Sequence, residues 1–172
     1  MRFNELPAGS QVFIDANIFI YHFSGVSNNC SSFLERCERE EIFGFTTVNI
    51  LLEVMHRLMM LEAVTRGLVT PGNIAKKLKG KPEIITQLRT YAEQVEKVPA
   101  MNINVVPLTE DLCHKALTWQ QRYGLMANDS ILLAACQEYN CWNLASNDHV
   151  FARIKELTLW KPSDVEAVNV SW

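Results

Sequence analysis

The chain has 172 residues, 48% of them hydrophobic and 20% charged, which suffices for one sizeable core and excludes wholesale disorder. A net charge of −3 argues against a broadly basic nucleic-acid-binding surface, but not against an acidic site whose local field a bound cation reverses. No apolar run reaches the roughly 20 residues of a membrane helix and the first residues lack a signal-peptide core, so a cytoplasmic protein is expected.

In chain order, residues 10–15 read as a first strand, apolar and bounded by Gly9 and Asn17. A short helix over 17–24 should end near Gly25. Residues 29–41 are amphipathic, with Cys30, Phe33, Leu34 and Cys37 at helical spacing. Residues 42–46 suggest a second strand, after which Thr46 or Thr47 caps a long helix running to about Arg66. From Val48 to Leu61 that helix is apolar on nearly every face, so it is expected to be buried or used for association. Residues 65–82 change character: Gly67, Pro71, Gly72, Gly80 and Pro82 are mixed with the cations Arg66, Lys76, Lys77, Lys79 and Lys81 and with no acid. A solvated surface loop is the plainest reading of that stretch.

A helix is expected over 83–98, then a β-branched strand over 103–108. Thr109 should cap the next helix, with Glu110 and Asp111 in its first turn, where negative charge suits the macrodipole. A helix over 127–140, a strand over 142–145, a short helix around 149–156 and a strand over 157–160 complete the pattern. Residues after Pro162 carry no signal, and there is no internal repeat. Strands alternating with helices imply an α/β fold, a parallel sheet covered on both faces. The odd cysteine count (Cys30, Cys37, Cys113, Cys136, Cys141) without Cys-x-x-Cys spacing points to reduced thiols. Cys37, Cys113 and Cys136 should serve as small hydrophobes, and no zinc site is expected.

Four acids stand out. Asp15 follows the apolar Val12-Phe13-Ile14, and Asp148 follows Leu144-Ala145, each at the carboxyl end of an expected strand, where ligands bind in open α/β sheets. Glu53 and Asp129 lie within or at the start of apolar helical stretches, where an unpartnered charge is costly. Each has a plain alternative. Asp15, Asp129 and Asp148 could cap turns or helices, and Glu53 could pair with Arg57 one turn on. Asn17 could hold the Asp15 rotamer or simply cap the next helix. His56 reads as a core or interface histidine. Taken together, four acids without a matching cluster of bases suggest a site for a hard divalent cation, which prefers oxygen ligands. Such an ion activates water and clamps the oxygens of an in-line phosphoryl displacement.

The run Phe13-Ile14-Asp15-Ala16-Asn17-Ile18-Phe19-Ile20 resembles the opening motif of PIN-domain ribonucleases. Glu53 after Thr46-Thr47 resembles that family's second acid. Asn128-Asp129-Ser130-Ile131-Leu132-Leu133-Ala134-Ala135 resembles its third-acid helix, and Ser146-Asn147-Asp148-His149-Val150-Phe151 its closing Thr-x-Asp-x-x-Phe segment. The matches run in family order, with Ser146 for the usual threonine and Ala16 for another. The resemblance implies a PIN-like three-layer α/β/α sandwich with a five-stranded parallel sheet. It implies Mg²⁺ or Mn²⁺ held by Asp15, Glu53, Asp129 and Asp148, with Asn17 and Ser146 as auxiliary or substrate-facing residues. It further implies metal-dependent endonucleolytic cleavage of RNA by activated water. Many compact members are VapC-type toxins, homodimers neutralised by an antitoxin.

The chain is expected to be one such domain over 1–172 with an insertion at about 65–100, which exceeds the compact toxin length. The insertion's lysines are candidates for RNA contact. A non-catalytic nucleic-acid- or protein-binding module and a stand-alone RNA-processing nuclease are the alternatives. An enzyme of small phosphate compounds is disfavoured, because no Gly-rich phosphate loop follows any strand.

Overall fold

The computed structural model describes residues 1–165. A short 3-10 turn at Phe3–Glu5 leads into β1 (Gln11–Ile14), then α1 (Ala16–Phe23), α2 (Asn28–Glu38), β2 (Phe43–Thr47) and α3 (Val48–Thr65). Next come α4 (Ile74–Lys79), α5 (Pro82–Ile85), α6 (Thr90–Ala100), β3 (Ile103–Val106), α7 (Glu110–Tyr123) and α8 (Ala127–Glu138). β4 (Asn143–Ala145), a 3-10 turn at His149–Arg153 and β5 (Thr158–Trp160) close the fold. The strands form one parallel sheet in the order β3-β2-β1-β4-β5.

That order sets the place of the site. From β1 the chain winds outward through β2 to β3, then returns to the other side of β1 as β4 and continues to β5. β1 and β4 therefore flank the topological switch point, where the loops leaving adjacent strand ends diverge and open a crevice. The connections from β1 to β3 run one way along the sheet and that from β3 to β4 runs back, so the right-handed crossover rule places their helices on opposite faces; Cys37 of α2 lies against Gly44 of β2 on the first. The central strand is buried on both faces, with Val12, Phe13 and Ile14 at 0% exposure, which is why it reads as a continuous apolar run rather than an alternation. β2 meets it closely because Gly44 has no Cβ; one built there would stand 3.0 Å from Ile14 Cδ1 and 3.3 Å from Cys37 Sγ.

Several expectations need correction. Residues 65–82 are more than a solvated loop. Ile74 and Leu78 of α4 are buried with Met60, Ala63, Val69, Ile84 and Leu88 in a small core of their own beside the end of α3. The helix expected over 83–98 is divided into α5 and α6. A side chain from α3 explains the start of α6. Buried Glu62 accepts the N–H groups of Arg89 at 3.1 Å and Tyr91 at 2.9 Å, and also the Arg66 guanidinium at 3.2 Å. Burial alone would raise the Glu62 carboxyl, but these donors outweigh it and hold it below its ordinary value. Glu62→Ala should destabilise the protein by about 2–3 kcal/mol in urea unfolding, because it removes charge-assisted hydrogen bonds that serve a helix end.

Other differences are local. Thr47 occupies the cap position of α3 without its hydroxyl bonding the helix, while the Thr46 hydroxyl donates to Ile14 O at 2.9 Å. α3 is not buried all round: Leu52 and Met55 are exposed, and so is His56, which rules out a core role for that histidine. Cys113 is exposed rather than packed, whereas Cys37 and Cys136 are fully buried; all five thiols are free. Asp164 lies in the stretch after Pro162 that carried no signal, yet it accepts from Ser27 Oγ at 2.6 Å and Asn29 N at 2.9 Å at the start of α2. The rest of that stretch, 166–172, lies outside the described residues. No described helix is long and apolar enough to cross a membrane.

Candidate active site at the switch point

Asp15 leaves the end of β1 and becomes the cap of α1, its Oδ1 accepting from Ala16 N at 2.7 Å. Its second oxygen, Oδ2, accepts from Asn17 Nδ2 at 2.5 Å and from the Ser146 hydroxyl at 2.6 Å. Asn17 thus holds the rotamer of Asp15 rather than capping a helix. Its own carbonyl oxygen accepts from Asn147 N at 3.1 Å, which ties α1 to the loop after β4. Ser146 Oγ in turn accepts from Asp148 N at 3.0 Å. The two auxiliary residues therefore stitch the β1 and β4 ends together across the crevice.

Asp148 caps the 3-10 turn that follows it, accepting from Val150 N at 2.8 Å, with His149 Nδ1 3.5 Å from the same oxygen. Glu53 is half-buried on α3. Its Oε1 pairs with Arg57 at 3.7 Å and its Oε2 accepts from Asn128 Nδ2 at 3.0 Å, so the expected i,i+4 pair is present but is not its sole partner. Asp129 is half-buried in the first turn of α8. The αL residue Gly124, at φ +61°, ends α7 and lets the chain turn into that helix.

Two of these acids, Asp15 and Asp129, are shifted. Burial pushes the Asp15 carboxyl up to about 7; the Ser146 hydrogen bond opposes this, and the negative charges of Asp129 and Glu53 add to it. Asp129 is pushed up to about 6, first by burial and then by the charges of Asp148 and Glu53. Asp15 thus lies within Coulombic reach of Asp129 and Glu53, and Asp129 within reach of Asp148 and Glu53. Among the described residues, however, no three His, Cys, Asp or Glu side chains are grouped so that they could ligate one ion directly. The donor set nevertheless suits a hard divalent cation. Its candidates are oxygens, their mutual repulsion would be relieved by positive charge, and magnesium ordinarily keeps several waters in place of protein ligands.

Sequence reasoning missed three neighbours: Asn49, Asn128 and Asn147. Asn49 stands one turn before Glu53 on α3, a spacing that could have revealed it, and its amide reaches Asn128 O and Oδ1 at 3.5 Å. Asn49 Oδ1, Asn147 Nδ2 and Thr47 Oγ1 are buried without a hydrogen-bond partner among the described residues. Each such group costs about 1–3 kcal/mol, a cost typical of sites kept for function rather than stability.

Fold and site together define an α/β protein with an acidic crevice at the switch point of a parallel sheet. Residues 12–157 match the PIN domain, and the chain belongs to that family. It is 24% identical over 154 residues to Ribonuclease VapC2 of Methanocaldococcus jannaschii, covering 87% of this chain and 93% of that protein. A solved toxin–antitoxin complex from Klebsiella pneumoniae has a similar fold, with TM-score 0.55, 21% identity and coverage of 86% of this chain and 95% of that one. So does VapC20 of Mycobacterium tuberculosis, described as a sarcin-ricin loop cleaving toxin, with TM-score 0.56, 13% identity and coverage of 82% and 92%. The three-layer sandwich expected from the sequence is the PIN fold observed.

Proposed function

We propose that the chain is a metal-dependent endoribonuclease that hydrolyses RNA phosphodiester bonds, and that it serves as the cytoplasmic toxin of a toxin–antitoxin pair. The observation that carries this reading is the convergence of four acids at one sheet edge: Ser146 bonds both Asp15 and the Asp148 backbone, and Asn128, next to Asp129, bonds Glu53. Support for the RNA substrate comes from the relative that is itself a ribonuclease, and support for an antitoxin from the toxin–antitoxin complex of similar fold. On this reading the domain spans 1–172, with 65–100 as an insertion.

The four acids would hold Mg²⁺ or Mn²⁺. A bound divalent cation supplies charge neutralisation at the phosphate and a lowered pKa for water. The chain's own residues prepare the site. Ser146 and Asn17 donate to the same oxygen of Asp15 and so fix its carboxylate plane, while burial keeps bulk water away from it. Without positive charge the pocket repels a phosphodiester, so activity should depend strictly on the cation. The test is incubation of end-labelled structured RNA with the purified protein in Mn²⁺ and in EDTA. Internal cleavage only in Mn²⁺ is expected, and equal cleavage in EDTA would end the metal-dependent reading. A non-catalytic binding module draws its support from the partners that Glu53 and Asp148 already have; RNA binding without cleavage would select it.

The insertion belongs to this reading as an RNA-contacting element, with one change. Lys77 is committed to the protein, donating to Thr70 O at 3.0 Å, Thr70 Oγ1 at 2.8 Å and Pro71 O at 3.1 Å. Lys76, Lys79 and Lys81 are exposed. Replacing those three by Gln should weaken RNA binding and flatten its salt dependence, by about 0.7–0.9 in log–log slope for each phosphate that is no longer neutralised. An unchanged slope in filter binding would remove the lysines from the interface. A homodimer is also part of the proposal: Leu52 and Met55, three apart on α3, offer an exposed apolar face. Sedimentation of Leu52→Lys should then give a monomer.

A further inference from the structure

Asn128 stands in the first turn of α8, between Ala127 and the proposed ligand Asp129, and its side chain is exposed rather than part of the core. Its amide nevertheless spans two helices. Nδ2 donates to Glu53 Oε2 on α3 at 3.0 Å, and its carbonyl and side-chain oxygens are reached from α3 by the buried Asn49 at 3.5 Å. The other Glu53 oxygen faces Arg57 at 3.7 Å. Glu53 and Asp129 carry like charge and repel, and a half-buried glutamate has enough rotatable bonds to swing toward Arg57 and away from the pocket. The Asn128 amide opposes that swing with a neutral donor. Aspartate at this position would lack the donor and repel Glu53; alanine would leave the carboxylate oxygen without a partner.

We propose that Asn128 is a positioning residue: it fixes the Glu53 carboxylate relative to Asp129 and thereby sets the affinity of the acidic crevice for a divalent cation. The inference rests on the metal-dependent reading above and concerns how the two helices are held in register. Hydrogen-bonding partners behind metal ligands typically change affinity by about 10–100-fold when removed, which sets the scale of the effect.

The experiment is calorimetric titration of the metal-free full-length protein with Mn²⁺, for the parent, Asn128→Ala, Glu53→Gln and the double variant. Asn128→Ala should weaken Mn²⁺ binding about tenfold while leaving the circular dichroism spectrum unchanged and lowering the melting temperature in EDTA by only about 2–5 °C, the cost of the lost hydrogen bonds. In the Glu53→Gln background the same change should cost nothing further, because Asn128 acts through that carboxylate. The paramagnetic resonance line of bound Mn²⁺ should broaden in Asn128→Ala, a change that a merely structural role would not produce. An unchanged Kd in Asn128→Ala, or a full loss that persists in the Glu53→Gln background, overturns the proposal while the metal reading stands. A parent protein that takes up no Mn²⁺ removes the metal reading and this inference with it.

Discussion

Asp15→Asn is expected to abolish RNA cleavage and, in EDTA, to make the protein more stable at neutral pH rather than less. Moving a carboxyl from 3.8 to about 7 corresponds to about 4 kcal/mol between its protonation states. Because folded Asp15 binds its proton more tightly than the unfolded chain does, its contribution is complete below pH 3.8 and is lost as pH rises through about 7. The variant has no charge to bury. Its amide does lose an acceptor for Asn17, a cost of about 1–2 kcal/mol at this partly buried side chain, which leaves a net gain of about 2–3 kcal/mol. For a chain of this size that is roughly 5–10 °C in melting temperature at neutral pH, shrinking toward zero or below in acid. His22 has the opposite sense. Burial lowers its imidazole below 6.5, so its contribution is present at high pH and lost as pH falls. The difference between parent and variant cancels this term. Thermal unfolding of both proteins in EDTA at about pH 5 and about pH 8 makes the comparison. A variant less stable than the parent at the higher pH would assign Asp15 to simple helix capping, and parental cleavage by it would remove Asp15 from the site.

Saturating Mn²⁺ should raise the melting temperature of the parent by about 5–10 °C, and Asp148→Asn should lose much of that rise. A ligand present at 100 times its Kd, binding only the folded state, stabilises by about 2.7 kcal/mol. At about 2–4 °C per kcal/mol this gives the stated shift. Asp148 also caps the 3-10 turn through Val150 N, and an asparagine side-chain oxygen can accept that same bond. The substitution therefore keeps the cap and deletes the charge that repels Asp129, so the metal-free variant should melt at or slightly above the parent. Equal metal shifts for the two proteins would show that Asp148 does nothing beyond capping.

The legible parts of this chain are those in which local chemistry and tertiary demand agree. Buried parallel strands announce themselves as short apolar runs, and β1, β2 and β3 fall within a residue or two of their expected bounds. Thr109 reads as a cap and is one, accepting from Leu112 N at 3.1 Å. The three candidate aspartates are visible because carboxylates next to apolar strands or in apolar helices have few inexpensive explanations. Where expectation and structure part, a distant residue has intervened. Gly and Pro in 65–82 signal breaks between helices as readily as a loop, and nothing local shows that Met60 and Leu88 will enclose Ile74 and Leu78. The start of α6 depends on Glu62, 27 residues before Arg89.

By itself, then, the sequence determined the α/β class and the approximate strands and singled out Asp15, Glu53, Asp129 and Asp148 as candidates, because hydrophobic period and carboxylate chemistry are properties of short stretches; Ser146 stood out only through the family resemblance, and Asn17 was open between holding Asp15 and capping a helix. Only the tertiary structure decided that β1 and β4 are neighbours, which brings Ser146 onto Asp15 from 131 positions away. Only it brought Asn128 onto Glu53 from 75 positions away and left Leu52 and Met55 in the open. The physical reason is that a residue's type states what it can bond, whereas its partner, and the burial that raises the Asp15 and Asp129 carboxyls, are fixed by which strand ends and helix turns the packed sheet places side by side.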